Sequence, residues 1–156
     1  MDYDGIQAMM HTETATALLI QGMLFSTLLL IASFHDIRTR EVPNWVPIAL
    51  IGSGLLQFQL VPALIGLVST SLPYLLAAVT TNGKIGGGDI KLMAACGFVL
   101  GPVGGLLQSI IGLTFVLLFA IGIVYRHGLK KTKQTAFPLV PFLAAGGLLT
   151  FTLLYL

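Results

Sequence analysis

Charge is what this chain has least of. Only 9% of its residues are Asp, Glu, Lys or Arg while 56% are hydrophobic, and a soluble domain carries about 25% charged residues. That deficit argues against a water-soluble fold and for a chain that lives in lipid. Cysteine is nearly missing too. Cys96 is the only one, which excludes an intrachain disulfide and a cysteine zinc cluster; set in an apolar helical stretch, it reads as a buried, unreactive thiol. No alternating strand pattern appears, so a helix bundle is favoured over a barrel. The first hydrophobic segment lacks a basic leader and a small-residue cleavage site, so it reads as retained rather than as a signal peptide.

What is present is apolar length. Stretches free of Asp, Glu, Lys and Arg run over 14–35, 42–83, 92–125 and 134–156. A spanning helix needs roughly 20 mostly apolar residues. The first and last stretches therefore hold one span each, and the second has room for two, divided near Pro62, since proline suits the first turn of a helix. The third breaks at Gly101-Pro102 and Gly104-Gly105 into a short helix from about Asp89 to Leu100 and a longer one to Tyr125. The expectation is an all-α, polytopic membrane helix bundle with six transmembrane helices in a single domain, 1–156. Gly52, Gly54, Gly104, Gly105, Gly146 and Gly147 are expected to let helices approach closely.

With six spans, all eight basic residues fall on one face: Arg38, Arg40, Lys84, Lys91, Arg126, Lys130, Lys131 and Lys133. Asp2, Asp4 and Glu13 fall on the other. The positive-inside rule makes the basic face cytoplasmic. The net charge of +2 is then a topology and lipid-headgroup signal, and no nucleic-acid partner is expected.

Asp36, Glu41 and Asp89 remain on that basic face, and the two aspartates are the candidates for chemistry. Ionisable groups at membrane depth are expensive and mark function by default. Asp36, in Phe34-His35-Asp36-Ile37-Arg38, has a plain structural reading as an i, i+4 partner of Arg40. Yet an acid at a helix C-terminus faces the negative end of the dipole. Asp89, in Gly86-Gly87-Gly88-Asp89-Ile90-Lys91, has a plain reading as an N-cap. Capping alone does not require the preceding glycines, which suit a place where another backbone passes closely. Two carboxylates held together share a proton; the ionised one can activate water while the protonated one polarises a carbonyl. That is aspartic-protease chemistry.

The segment Asp36-Ile37-Arg38-Thr39-Arg40-Glu41-Val42-Pro43-Asn44 resembles the first-aspartate motif of the type IV prepilin peptidases. Gly86-Gly87-Gly88-Asp89-Ile90-Lys91 is similar to their Gly-x-Gly-Asp-x-Lys signature. Pro138-Leu139-Val140-Pro141-Phe142-Leu143-Ala144 resembles their third signature, although a glycine is common where Val140 stands. The resemblance implies a membrane aspartic endopeptidase that cuts the leader from prepilins or pseudopilins after a glycine, at the cytoplasmic face of the inner or plasma membrane. It carries Asp36 and Asp89 over as the catalytic pair, and Gly86, Gly88 and Lys91 as motif residues on the substrate side without an assigned chemical role. It implies no cofactor and no metal. The chain is similar to the short, peptidase-only form, and methylation of the product is not expected of it.

Other residues carry less. Lys84 and Lys91 read mainly as interfacial side chains, His35 as structural or interfacial, Trp45 as an interfacial anchor, and the 126–133 cations as topology and lipid contacts. Two other functions compete. A presenilin-like intramembrane protease also uses Gly-x-Gly-Asp, but its Pro-Ala-Leu motif follows the second aspartate, whereas Pro62-Ala63-Leu64 precedes it here. A small proton-coupled transporter or channel component would more often place acids near midspan and show internal repeats. Oligomeric state is not legible.

Overall fold

The computed structural model describes residues 3–81, 86–127 and 138–155. Lys84, Lys130, Lys131, Lys133 and Asp2, on which part of the orientation argument rests, lie outside the described residues, as does the side chain of Asp4. The described residues form five helices and no strand: α1 (Tyr3–Thr39), α2 (Trp45–Gly54) continued by a 3₁₀ turn (Leu55–Gln57), α3 (Leu60–Thr80), α4 (Gly87–His127) and α5 (Val140–Tyr155). Three are long and apolar enough to cross a membrane, over Thr12–Thr39, Leu60–Thr80 and Gly87–Arg126, while Trp45–Gln57 and Val140–Tyr155 are shorter apolar helices.

The breaks follow local chemistry. α1 ends where Arg40 takes a left-handed φ of 57° and its N–H returns to the Asp36 carbonyl at 2.9 Å, a helix stop that glycine usually supplies. Pro62 lies in the first turn of α3. α4 bends at Gly101, whose φ of 66° is open to glycine and strained for other residues, and Pro102 removes the next donor. That bend separates a 14-residue arm, 87–100, from a longer one, 102–127.

α3 packs along α4 more extensively than any other pair, α5 lies between α1 and α4, and α2 covers α4 and α1. Small residues set these approaches. A Cβ on Gly66 would strike the Gly97 carbonyl, and one on Gly97 or Gly105 the Thr70 hydroxyl. On the other side of α4, a Cβ on Gly146 would stand 2.6 Å from the Gln108 carbonyl. Gly54, Gly105, Gly146 and Gly147 thus act as expected. Gly52 does not, since nothing lies within 4 Å of its absent Cβ, and Gly104 meets mainly Leu100 of its own helix.

Phe25, Leu29, Leu50, Leu92, Leu100 and Val140 fill the core. The outer surface is apolar as well: Ile48, Val79, Val103 and Leu153 are each about 70% exposed. Water-soluble monomers rarely expose so much apolar surface, and lipid accepts it. The chain is a multi-pass membrane protein.

Candidate active site

Asp36 stands in the last turns of α1, only 6% exposed. Its dipole problem is solved from another helix. Oδ2 accepts the Val140 N–H at 2.9 Å, and the Leu139 amide also turns toward the carboxylate. Val140 opens α5, so an acid at the unfavourable end of one helix caps the favourable end of another. A carboxylate acceptor makes such a bond stronger than a neutral one. The i, i+4 ion pair with Arg40 is not formed: among the described residues no bridge joins the two, although the Arg40 charge acts on Asp36 at longer range. The Arg38 guanidinium instead lies over the Phe34 ring, 5.2 Å from its centroid.

Asp89 occupies the first turn of α4 rather than the cap position. The helix starts two residues earlier than the glycine run suggests, at Gly87, and the Asp89 N–H reaches the Gly86 carbonyl at 3.1 Å. A first-turn acid also sits at the positive end of its helix. The carboxyl is half-buried, and Asp36 lies close enough for its charge to act on it. Two like charges are thus gathered at one end of the bundle, each beside a helix N-terminus, α5 for Asp36 and α4 for Asp89. The arrangement suits a pair in which one carboxyl holds a proton and the other does not.

The glycine run before Asp89 does different work at each position. At Gly88 a Cβ would stand 3.1 Å from Val42 Cβ and 3.4 Å from Val42 N, so a neighbouring backbone does pass closely there, from the segment after α1. Gly87 meets nothing within 4 Å. At Gly86 the nearest atom to an added Cβ is Asp89 Oδ2, at 3.6 Å, so a side chain there would stand against that oxygen. Lys91 is exposed and its Nζ donates to Asn44 Oδ1 at 3.1 Å. His35 Nδ1 lies 3.1 Å from the Ile31 carbonyl, a contact within its own helix. Trp45 is 50% exposed at the start of α2.

Sequence reasoning missed the Val140 amide as the partner of Asp36, although the proline-flanked Pro138–Ala144 segment marks a helix start. It also missed Tyr74. That side chain is 4% exposed, shares a cluster with Met93, Leu143, Ile90 and Leu139, and lies within electrostatic reach of Asp89. A buried tyrosine in an apolar helix carries no sequence signal. Among the described residues no group of three or more His, Cys, Asp or Glu gathers as a metal site.

The type IV leader peptidase family matches residues 23–125, a span that includes both aspartates and the bend of α4. A prepilin leader peptidase/N-methyltransferase of Bacillus subtilis (strain 168) is 31% identical over 143 residues, covering 85% of this chain and 55% of the relative. The chain therefore spans about half the length of that relative. No solved structure matches the chain. With the family match running from the middle of α1 through both acids to the end of α4, the chain belongs to the type IV leader peptidase family.

Proposed function

We propose that the protein is a membrane aspartic endopeptidase that removes the leader from type IV prepilins or pseudopilins, cutting after a glycine at the cytoplasmic face of a six-span bundle. What supports this reading most is that Asp36 lies near enough to Asp89 for its charge to act on it, within a chain of this family. The ionised member of the pair takes a proton from water as that water attacks the scissile carbonyl. The protonated member gives its proton to the carbonyl oxygen; as the resulting diol collapses, the member that took the water proton passes it to the leaving amine and the other recovers a proton from the diol hydroxyl. Asp36, tied to the Val140 amide, is the member better held as an anion. Asp89, half-buried and reached past Gly86, is the member better placed to exchange its proton with substrate. Gly86 leaves room there for an extended peptide. The cytoplasmic placement is supported by Arg38, Arg40 and Lys91 lying in the two motifs at this end.

The test is direct. Purified protein in detergent, incubated with a panel of leader-bearing prepilins, should convert at least one to a product whose mass loss places the cut after the leader glycine. A folded preparation that cleaves none of them overturns the reading.

A further inference from the structure

α1 and α4 carry the two acids, yet they share no extended helix face: α1 packs against α5 and α2, and α4 against α3, α5 and α2. The gap between Asp36 and Asp89 therefore depends on contacts made outside a direct α1–α4 seam. Asp36 is fixed to α5. The other tie is the short segment between α1 and α2, which crosses the first turn of α4. Val42 covers the place where a Gly88 side chain would stand, at 3.1 Å. One helical turn further on, on the same face of α4, Lys91 Nζ donates to Asn44 Oδ1 at 3.1 Å.

Asn44 makes the contact informative. It occupies the N-cap position of α2, but its side chain makes no cap hydrogen bond. Asparagine is among the preferred N-cap residues because its side-chain oxygen can satisfy the first amides of the helix. Here that oxygen is committed to Lys91 across 47 positions of sequence. A local bond is forgone for one that joins the two aspartate motifs.

We propose that Asn44 and Lys91 are positioning residues, a strap that holds the segment following Asp36 against the first turn of α4 and so sets the separation of the two carboxylates. In this assignment Lys91 acts on the reaction through the Asp36–Asp89 geometry and not by touching the peptide. The inference rests on the dyad proposed above. An exposed hydrogen bond adds little to stability, but a displacement of about 1 Å in a catalytic group can cost roughly 10²-fold in rate. The strap's effect is therefore expected in turnover and not in melting.

The test compares Lys91→Met, which keeps the stem and removes the donor, with Asn44→Ala and with the double variant, in the prepilin cleavage assay. Each single change should lower kcat by about tenfold or more with KM and melting temperature nearly unchanged, and the double variant should fall no lower than the worse single one. A raised KM with normal kcat for Lys91→Met, full activity for Asn44→Ala, or effects that multiply in the double variant would each overturn the strap. A second measurement does not depend on activity. Spin labels on Thr39→Cys and Gly87→Cys, in a Cys96→Ser background, sit at exposed positions and report the gap by dipolar broadening. Lys91→Met and Asn44→Ala should each widen the distance distribution, and an unchanged distribution overturns the strap. If the parent cleaves no prepilin, the dyad reading fails and the labels alone decide the strap; if it cleaves normally while Asn44→Ala does too, only the strap fails.

Discussion

The Val140 amide donates to Asp36 Oδ2 at 2.9 Å, joining the end of α1 to the start of α5 across 104 positions of sequence. One hydrogen bond thus serves two purposes. It satisfies a backbone donor that α5 cannot pair internally, and it holds a carboxylate in a fixed direction at the edge of an apolar core. The same side chain is structural and a candidate for chemistry, and substitutions can separate the two roles.

Asp36→Ala should lower stability by about 1–2 kcal/mol, the usual cost of removing a capping acceptor. Asp36→Asn keeps an oxygen for the Val140 amide and should lose less. Thermal unfolding in detergent measures the difference. Equal melting of the alanine variant and the parent would mean that the Val140 contact contributes nothing.

The glycines supply a graded comparison. Gly97→Val places atoms on the Gly66 carbonyl and the Thr70 hydroxyl, and should cost at least about 1–3 kcal/mol through forced separation of α3 and α4. Gly52→Ala, with nothing within 4 Å, should be neutral or stabilise by up to about 1 kcal/mol through reduced backbone freedom. Folded yield and melting temperature of the two variants should move in opposite directions or differ widely; equal losses would contradict the packing described for α3 and α4.

Much of this was legible from the chain itself. Apolar length between charges marks the helices, Gly101-Pro102 marks the bend of α4, and both acids stand out because so few charges are available. What stayed hidden is pairing between distant positions. Nothing local in Val140 says that its amide meets Asp36, and nothing local in Asn44 says that its side chain meets Lys91. The plain reading of Asp36 as an ion-pair partner of Arg40 does not hold, because the chain turns left-handed at Arg40 and brings its backbone N–H, not its guanidinium, back to the Asp36 carbonyl. Gly52 was misjudged because composition does not say which side of a helix faces a neighbour.

Tyr74 gives a prediction of the opposite sign to most core changes. Its hydroxyl is buried beside Ser109 but makes no hydrogen bond of good geometry among the described residues, and an unpaired buried polar group costs about 1–3 kcal/mol. Tyr74→Phe should therefore melt at or above the parent temperature. A clear loss of stability would show that the hydroxyl is paired in the membrane, by water or by Ser109 beside it.

Orientation can be checked by labelling in intact cells. In a Cys96→Ser background, Thr39→Cys at the acid-bearing end should resist an impermeant thiol reagent, while Gln59→Cys, exposed in the α2–α3 connection, should react. Labelling of Thr39→Cys with protection of Gln59→Cys would reverse the proposed topology.

The central claim is that Asp36 and Asp89 act as one proton-sharing pair, and the measurement that tests it most directly is leader cleavage by Asp36→Asn and Asp89→Asn in parallel with the parent. Asparagine keeps the size and the hydrogen-bonding oxygen of each side chain but cannot take up or release the shared proton. The account predicts that a prepilin cut by the parent is left intact by both variants while both remain folded; cleavage by either at the parent rate would contradict it.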